Sequence, residues 1–317
     1  MKKLLGLFLI LVTAGGIAFG QISVTSKFGI WNIGKAYDIK SAPNLAVVIN
    51  AAGEKDIGPG NLHLTARSIM LGLHYQDYPH SSLFGEWLFG DEDYNFLAAG
   101  YTIPVGPGNL DFSLEFRPWR STKNATLDEN SNFRSFRPSI TYSGINLGPA
   151  TLSFELWYIL MTSGMNKKGE KSFFGKGVDT TGTGYGINAD ELGFNIIAEF
   201  DFGLTVEYGF SCGFYNNMPG YYGGSGQKAG VTQLAYFNFT YAINDALSVN
   251  LEFDRSALWD ENDAKWKFFQ GFSLKPGATY MINDSMSVGL WIKFEELNNW
   301  WDGAARVEPC FWFKYIF

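Results

Sequence analysis

Three histidines, His63, His74 and His80, are the only imidazoles in the chain, and all precede residue 81. A hydrolytic centre would need one of them aimed at a serine or an aspartate. His80-Ser81-Ser82 are neighbours in sequence, which does not bring side chains together, and no nucleophile motif surrounds them. No pair of histidines four apart on a helix offers a zinc site. The acidic clusters Asp91-Glu92-Asp93 and Asp260-Glu261-Asn262-Asp263 lack the spacing of a calcium loop. Gly182-Thr183-Gly184-Tyr185-Gly186 is followed by no Lys-Ser/Thr and is no phosphate loop. The sequence therefore predicts no catalytic residues, no cofactor and no metal site.

The charges that remain are informative through their spacing. Leu110, Phe112, Leu114 and Phe116 alternate with Asp111, Ser113, Glu115 and Arg117. The same pattern runs through Leu152–Leu160, Leu192–Phe200, Leu247–Phe253 and Val288–Phe294. Successive side chains of a strand point to opposite faces, so each segment has an apolar face and a charged one. About ten residues suit a tilted strand crossing a bilayer, whereas strands of soluble sandwiches usually run to about five or six.

The composition fits strands better than any alternative. Aromatics make up 17% and charged residues 17%, and there are 37 glycines. So much apolar surface excludes a disordered chain. The net charge of −7, with no long basic run, excludes a nucleic-acid partner. Two cysteines exclude a disulfide scaffold. Residues 1–20 read as a secretory signal peptide: Lys2 and Lys3, an apolar stretch from Leu4 to Ile17, then Ala18-Phe19-Gly20, with cleavage after Gly20. Beyond it no uncharged apolar run approaches the length of a membrane helix. Residues 21–317 then form one domain, an all-β transmembrane antiparallel barrel, which satisfies its backbone between strands.

Connection lengths set the strand count. Short, turn-rich joints occur at 57–61, 106–109, 146–149, 201–203, 244–246 and 283–285. Gly, Pro, Asn and Asp dominate them, as tight reversals demand. Longer segments lie at 34–43, 77–93, 120–133, 163–188, 215–230, 259–265 and 297–303. These connections predict fourteen strands, with twelve or sixteen as alternatives, and place both termini on the short-turn, periplasmic side, with the long loops extracellular. Gly58-Pro-Gly-Asn-Leu62 recurs at Gly106–Leu110, and Ile243-Asn-Asp recurs at Ile282-Asn-Asp, as hairpin repetition. Within Leu62–Gln76 the apolar phase shifts between Ala66 and Ile69, which predicts either a bulge or a strand boundary at another place.

Taking the face opposite the apolar one as inward, the pore-lining acids are Asp111, Glu115, Glu155, Glu199, Glu207, Glu252, Asp254, Glu295 and Glu308. The pore-lining bases are Lys27, Arg67, Arg117, Arg137, Lys275, Lys293, Arg306 and Lys314. Acids dominate the eighth, ninth and eleventh strands, and bases the last three. Acid on one wall and base on the other would impose a transverse field on passing solutes. Cys212 falls on the apolar face and Cys310 on the inward face, so both are expected as free thiols, Cys310 within reach of a water-filled lumen.

In the last strand Val307, Pro309, Phe311, Phe313, Tyr315 and Phe317 share one face, and the chain stops at Phe317. This ending resembles that of Gram-negative-type, porin-like outer-membrane β-barrels, whose final strand carries alternate aromatics and a terminal one. The resemblance names no subfamily, and Trp312 stands where such endings often have glycine. It implies that Phe313, Tyr315 and Phe317 are an assembly signal read by the barrel-assembly machinery, with outer-membrane lipid as a second partner. The expected function is an outer-membrane channel for passive diffusion of small hydrophilic solutes or ions. One alternative is a transporter of hydrophobic compounds resembling the fatty-acid transporters, although the N-terminal plug of those proteins has no room here, since alternation begins at Ile22. Another is a closed structural or adhesive barrel. Loop 77–93, with Phe84, Trp87 and Phe89, either folds into the barrel mouth as a constriction or meets lipid or a partner.

Overall fold

Alternating segments leave every strand with unpaired backbone groups on both edges, and in lipid only closure satisfies them all. The computed structural model closes in this way. It describes residues 20–31, 42–73, 96–124, 129–162, 189–215, 230–260, 265–295, 297 and 306–317. The leader up to residue 19, loop 77–93 and loop 163–188 lie outside the described residues.

Fourteen strands follow one another in chain order: β1 (Gln21–Trp31), β2 (Ala42–Ile57), β3 (Gly60–Leu73), β4 (Phe96–Val105), β5 (Gly108–Asn124), β6 (Glu129–Leu147), β7 (Ala150–Thr162), β8 (Ala189–Phe200), β9 (Leu204–Tyr215), β10 (Gly230–Ala242), β11 (Leu247–Asp260), β12 (Lys265–Asn283), β13 (Met286–Glu295) and β14 (Arg306–Ile316). Each pairs antiparallel with its neighbours, and β1 closes on β14 with Lys27 opposite Trp312. The first and last strands meet at the short-turn end, where Phe317 N donates to Ile22 O at 2.8 Å.

Two expected loops are shorter than their sequence suggests. β5 continues to Asn124 and β6 begins at Glu129, with Ser121 opposite Asn132 and Lys123 opposite Asn130. Likewise Asp260 pairs with Lys265 across the 259–265 segment. Strands of 17 and 19 residues are longer than a bilayer requires. Where they continue into water, neither face has to be apolar. Alternation then fades while backbone pairing persists. The phase shift in β3 is a bulge. Val47 pairs with Leu71 and Val48 with Ile69, which leaves Met70 as the extra residue.

The apolar faces point outward. Leu114 is 49% exposed and Leu156 52%, values that suit lipid as the surrounding solvent. Aromatic contacts run across this surface from Phe194 to Phe210 (5.8 Å between ring centroids), and from Tyr208 through Phe237 to Phe253 and Phe272 (4.8, 6.3 and 4.7 Å). Such cross-strand ring pairs hold register as well as burying area.

The repeated turns are built alike. Gly58 and Gly106 both adopt φ of +60°, a conformation that L side chains resist. Two residues on, Gly60 and Gly108 leave room for the rings of Tyr101 and Tyr142, each contributed by the next strand. The Tyr101 hydroxyl donates to Ile57 O at 2.6 Å, and the Tyr142 hydroxyl to Val105 O at 3.0 Å. The other repeat uses asparagine: Asn244 Oδ1 accepts from Ala246 N and Leu247 N, and Asn283 Oδ1 accepts from Ser285 N. Tyr101→Phe should cost ~0.5–1.5 kcal/mol, the net value of one hydrogen bond. Urea unfolding of the barrel refolded in vesicles measures it, and an unchanged midpoint would show that the clamp contributes nothing.

Candidate functional site

Residues opposite one another in register share a face, so the inward wall can be followed from strand to strand. One row runs Asp111, Thr141, Glu155, Asn195, Gly209, Tyr236, Asp254 and Ser273 through β5 to β12. The neighbouring row carries Glu207, Asn238, Glu252 and Lys275. Charged and hydrogen-bonding groups thus fall side by side around the inner circumference.

The acids among them are tied to the wall. Arg137 Nη2 donates to Glu155 Oε1 at 2.7 Å, and Asn195 Nδ2 donates to Glu155 Oε2 at 2.7 Å. Glu115 stands opposite Arg137 in register. The Tyr236 hydroxyl lies 2.8 Å from Glu207 Oε1 and 3.1 Å from Asn195 Oδ1, which joins the two rows. Ser211 Oγ donates to Glu191 and Ser273 Oγ to Asp254. On the far side of β5, His63 Nε2 sits 2.6 Å from Asp111 Oδ1, to which Thr102 Oγ1 also donates at 2.7 Å. Arg67 Nε donates to Asn50 Oδ1 at 2.8 Å, with its guanidinium 5.1 Å from the Phe96 ring centroid. Each of these bonds runs along the wall, to the next strand or the next but one. Arg137 is therefore a base set among the acids, and it offsets much of the acidic wall's field locally.

The basic side is arranged differently. Lys275 is buried, its Nζ 3.6 Å from Glu252 Oε2 and 4.9 Å from the Trp291 ring centroid. Lys27, Lys275 and Lys314 line one cavity of roughly 380 Å³ with threonine, serine and asparagine side chains and Trp312. Lys293 faces Glu308 across β13 and β14, and Glu308 is 2% exposed. Glu199 stands opposite Thr151 and Thr205 and remains exposed. For Arg117, Glu295 and Arg306 the backbone register alone is described: Arg117 opposite Ser135, and Glu295 opposite Arg306.

Charge reading misses the groups that organise this wall. A Cβ placed on Gly193 would collide with the Trp157 ring, one on Gly209 with Tyr236, and one on Gly289 with Trp312. All three glycines are inward and buried, so these large rings lie flat on bare backbone. An inward glycine opposite an aromatic, in three strands, was the signal in the sequence. Cys310 also departs from expectation. It is inward and unbridged, but 4% exposed, in a small cluster with Val48 and Trp291 against which Trp312 packs. Two indole rings cover the thiol, so an open lumen alone does not expose it. Among the described residues no group of His, Cys, Asp and Glu is placed to hold a metal ion.

No protein-family model matches the chain, and no curated protein matches it. Solved structures do. The outer membrane channel DcaP of Acinetobacter baumannii superposes with a TM-score of 0.53 at 10% identity, over 94% of this chain and 96% of that one. OmpT lacking loop L8, an outer membrane protein of Vibrio cholerae, gives 0.50 at 8% identity, over 94% and 98%. Strand order, closure and the outward apolar faces give the chain the fold of outer-membrane β-barrels. At these identities the likeness extends to the fold alone.

Proposed function

We propose that this barrel is a passive channel in a bacterial outer membrane, admitting small hydrophilic solutes or ions through a charged lumen, and that it performs no catalysis. The observation that carries this reading is the direction of the inward bonds. Arg137–Glu155, Asn195–Glu155, Tyr236–Glu207 and His63–Asp111 all satisfy polar groups along the wall rather than across the space between walls. The aromatics seated on Gly193, Gly209 and Gly289 lie back against the wall in the same way. A wall bonded largely within itself, with Trp157 Nε1 and Asn238 Oδ1 as buried exceptions, needs no plug at its centre, and fourteen strands enclose enough space for water and solute. An enzymatic reading has less support, since Asp111 Oδ1, the acid beside His63, already accepts from the Thr102 hydroxyl as part of the wall.

The leader over 1–20 would export the chain. The face of Phe313, Tyr315 and Phe317 would then be offered to the assembly machinery. Tyr315 and Phe317 pack edge to face at 4.7 Å, on the outward side, where a partner can reach them. Purified protein in a planar bilayer should give discrete conductance steps that scale with salt. A barrel that inserts fully but conducts nothing would favour the closed, structural alternative.

A further inference from the structure

Lys27 on β1 and Lys314 on β14 are diagonal neighbours: Lys27 pairs with Trp312, and Thr25 pairs with Lys314. Diagonal positions on adjacent strands lie about 7–8 Å apart. Lys275, from β12, lines the same cavity. Like charges brought together on a low-dielectric wall repel, and an anion placed between them removes the repulsion. The lining includes Thr240, Ser248 and the Trp312 indole, all able to donate to an oxyanion, and no carboxylate is among the lining residues. Glu252 reaches Lys275 from outside that lining, and the Trp291 ring lies against the same ammonium, so this cation is held at a fixed place.

The cavity lies toward the short-turn end of its strands. Lys314 is two residues from the end of β14, and Ser248 is the second residue of β11. β7, with Glu155, is half-way round the closed barrel from β14. An anion at the cavity is therefore held away from Glu155, while Glu207 stands opposite Asn238, at the edge of the lining.

We propose that this cavity is an anion-binding subsite of the lumen. Its ligand is a small solute whose charge sits on carboxylate or phosphate oxygens, held by Lys27, Lys275 and Lys314. The proposal rests on the channel reading and names the class of solute that the channel favours.

The test uses the refolded protein in planar bilayers, with chloride current recorded while inorganic phosphate is added, and succinate in a separate arm. Both arms should show saturable block if the shared oxyanion chemistry is what binds, and block by one alone assigns the subsite to that group. Lys27→Gln with Lys314→Gln should raise the half-blocking concentration by about tenfold or more, because two nearby unit charges in a partly desolvated wall are worth at least that. Lys27→Arg with Lys314→Arg should retain the block and reports that the fold survives substitution. An equal half-blocking concentration in the Gln variant, or no block of the unaltered protein by either anion, overturns the subsite while leaving the channel in place. If no current is seen at all, the channel reading falls. Calorimetric titration of the refolded barrel with phosphate and succinate then decides the subsite by the same comparison of variants.

Discussion

Arginine introduced at Leu114, Phe154 or Leu251 is expected to destabilise the barrel by ~2–4 kcal/mol, the depth-dependent cost of a guanidinium on the lipid side near the bilayer midplane. The three residues sit on β5, β7 and β11, between 39% and 49% exposed on the outer surface. No water is available there to solvate the charge, and aromatic neighbours on the same surface leave it no partner. Ser153→Arg, one residue from Phe154, places the same charge on the inward face, opposite Ile197 in register and beside a polar wall. That variant should fold as the parent does. Heat-modifiable mobility on gels gives the folded fraction, and urea unfolding in vesicles gives the free-energy difference. Equal loss in the inward and outward variants would mean that the faces are assigned the wrong way round.

This contrast was legible in the sequence because a membrane barrel has two solvents. Each strand must alternate between them, so Leu110–Arg117 and Leu152–Leu160 reveal both their conformation and their faces. The short turns were legible for a similar local reason. Gly58 and Gly106 must adopt positive φ, and Asn244 and Asn283 bond to their own backbone a few residues on. The bulge could be seen as a phase shift, although pairing with β2 was needed to place it at Met70.

What stayed hidden depends on register between strands. His63 and Asp111 are 48 residues apart and meet across β4, and Tyr236 reaches Asn195 across β9. Alternation says that these groups face inward but not at what height. The charge count therefore gave an acidic wall and a basic one, without showing Arg137 inserted among the acids. The expected reach of Cys310 failed for a related reason. Alternation gives the face of Cys310 but not its cover, which Trp291 and Trp312 supply.

The seat of Trp157 on Gly193 carries the second large expectation. Gly193→Ala adds a methyl where the ring now lies, with Gly193 opposite Trp157 in register. The indole cannot sink into the backbone, so it must tilt toward the lumen. Overpacking of this kind costs ~1–3 kcal/mol, which leaves the barrel folded but measurably weaker. Tilting also disturbs Arg137, whose guanidinium lies 5.1 Å from the Trp157 ring centroid while bonding Glu155. Single-channel conductance should therefore fall in Gly193→Ala. It should stay level or rise in Trp157→Ala, where the ring is gone. The double variant should recover both conductance and stability relative to Gly193→Ala, because the added methyl then meets no ring. Two substitutions at contacting residues are expected to be non-additive in this sense, and the size of the interaction measures the contact itself. If Gly193→Ala lowers stability yet leaves conductance unchanged, with the double variant unchanged as well, the flat ring is a packing device only, and the bore is set by other parts of the wall.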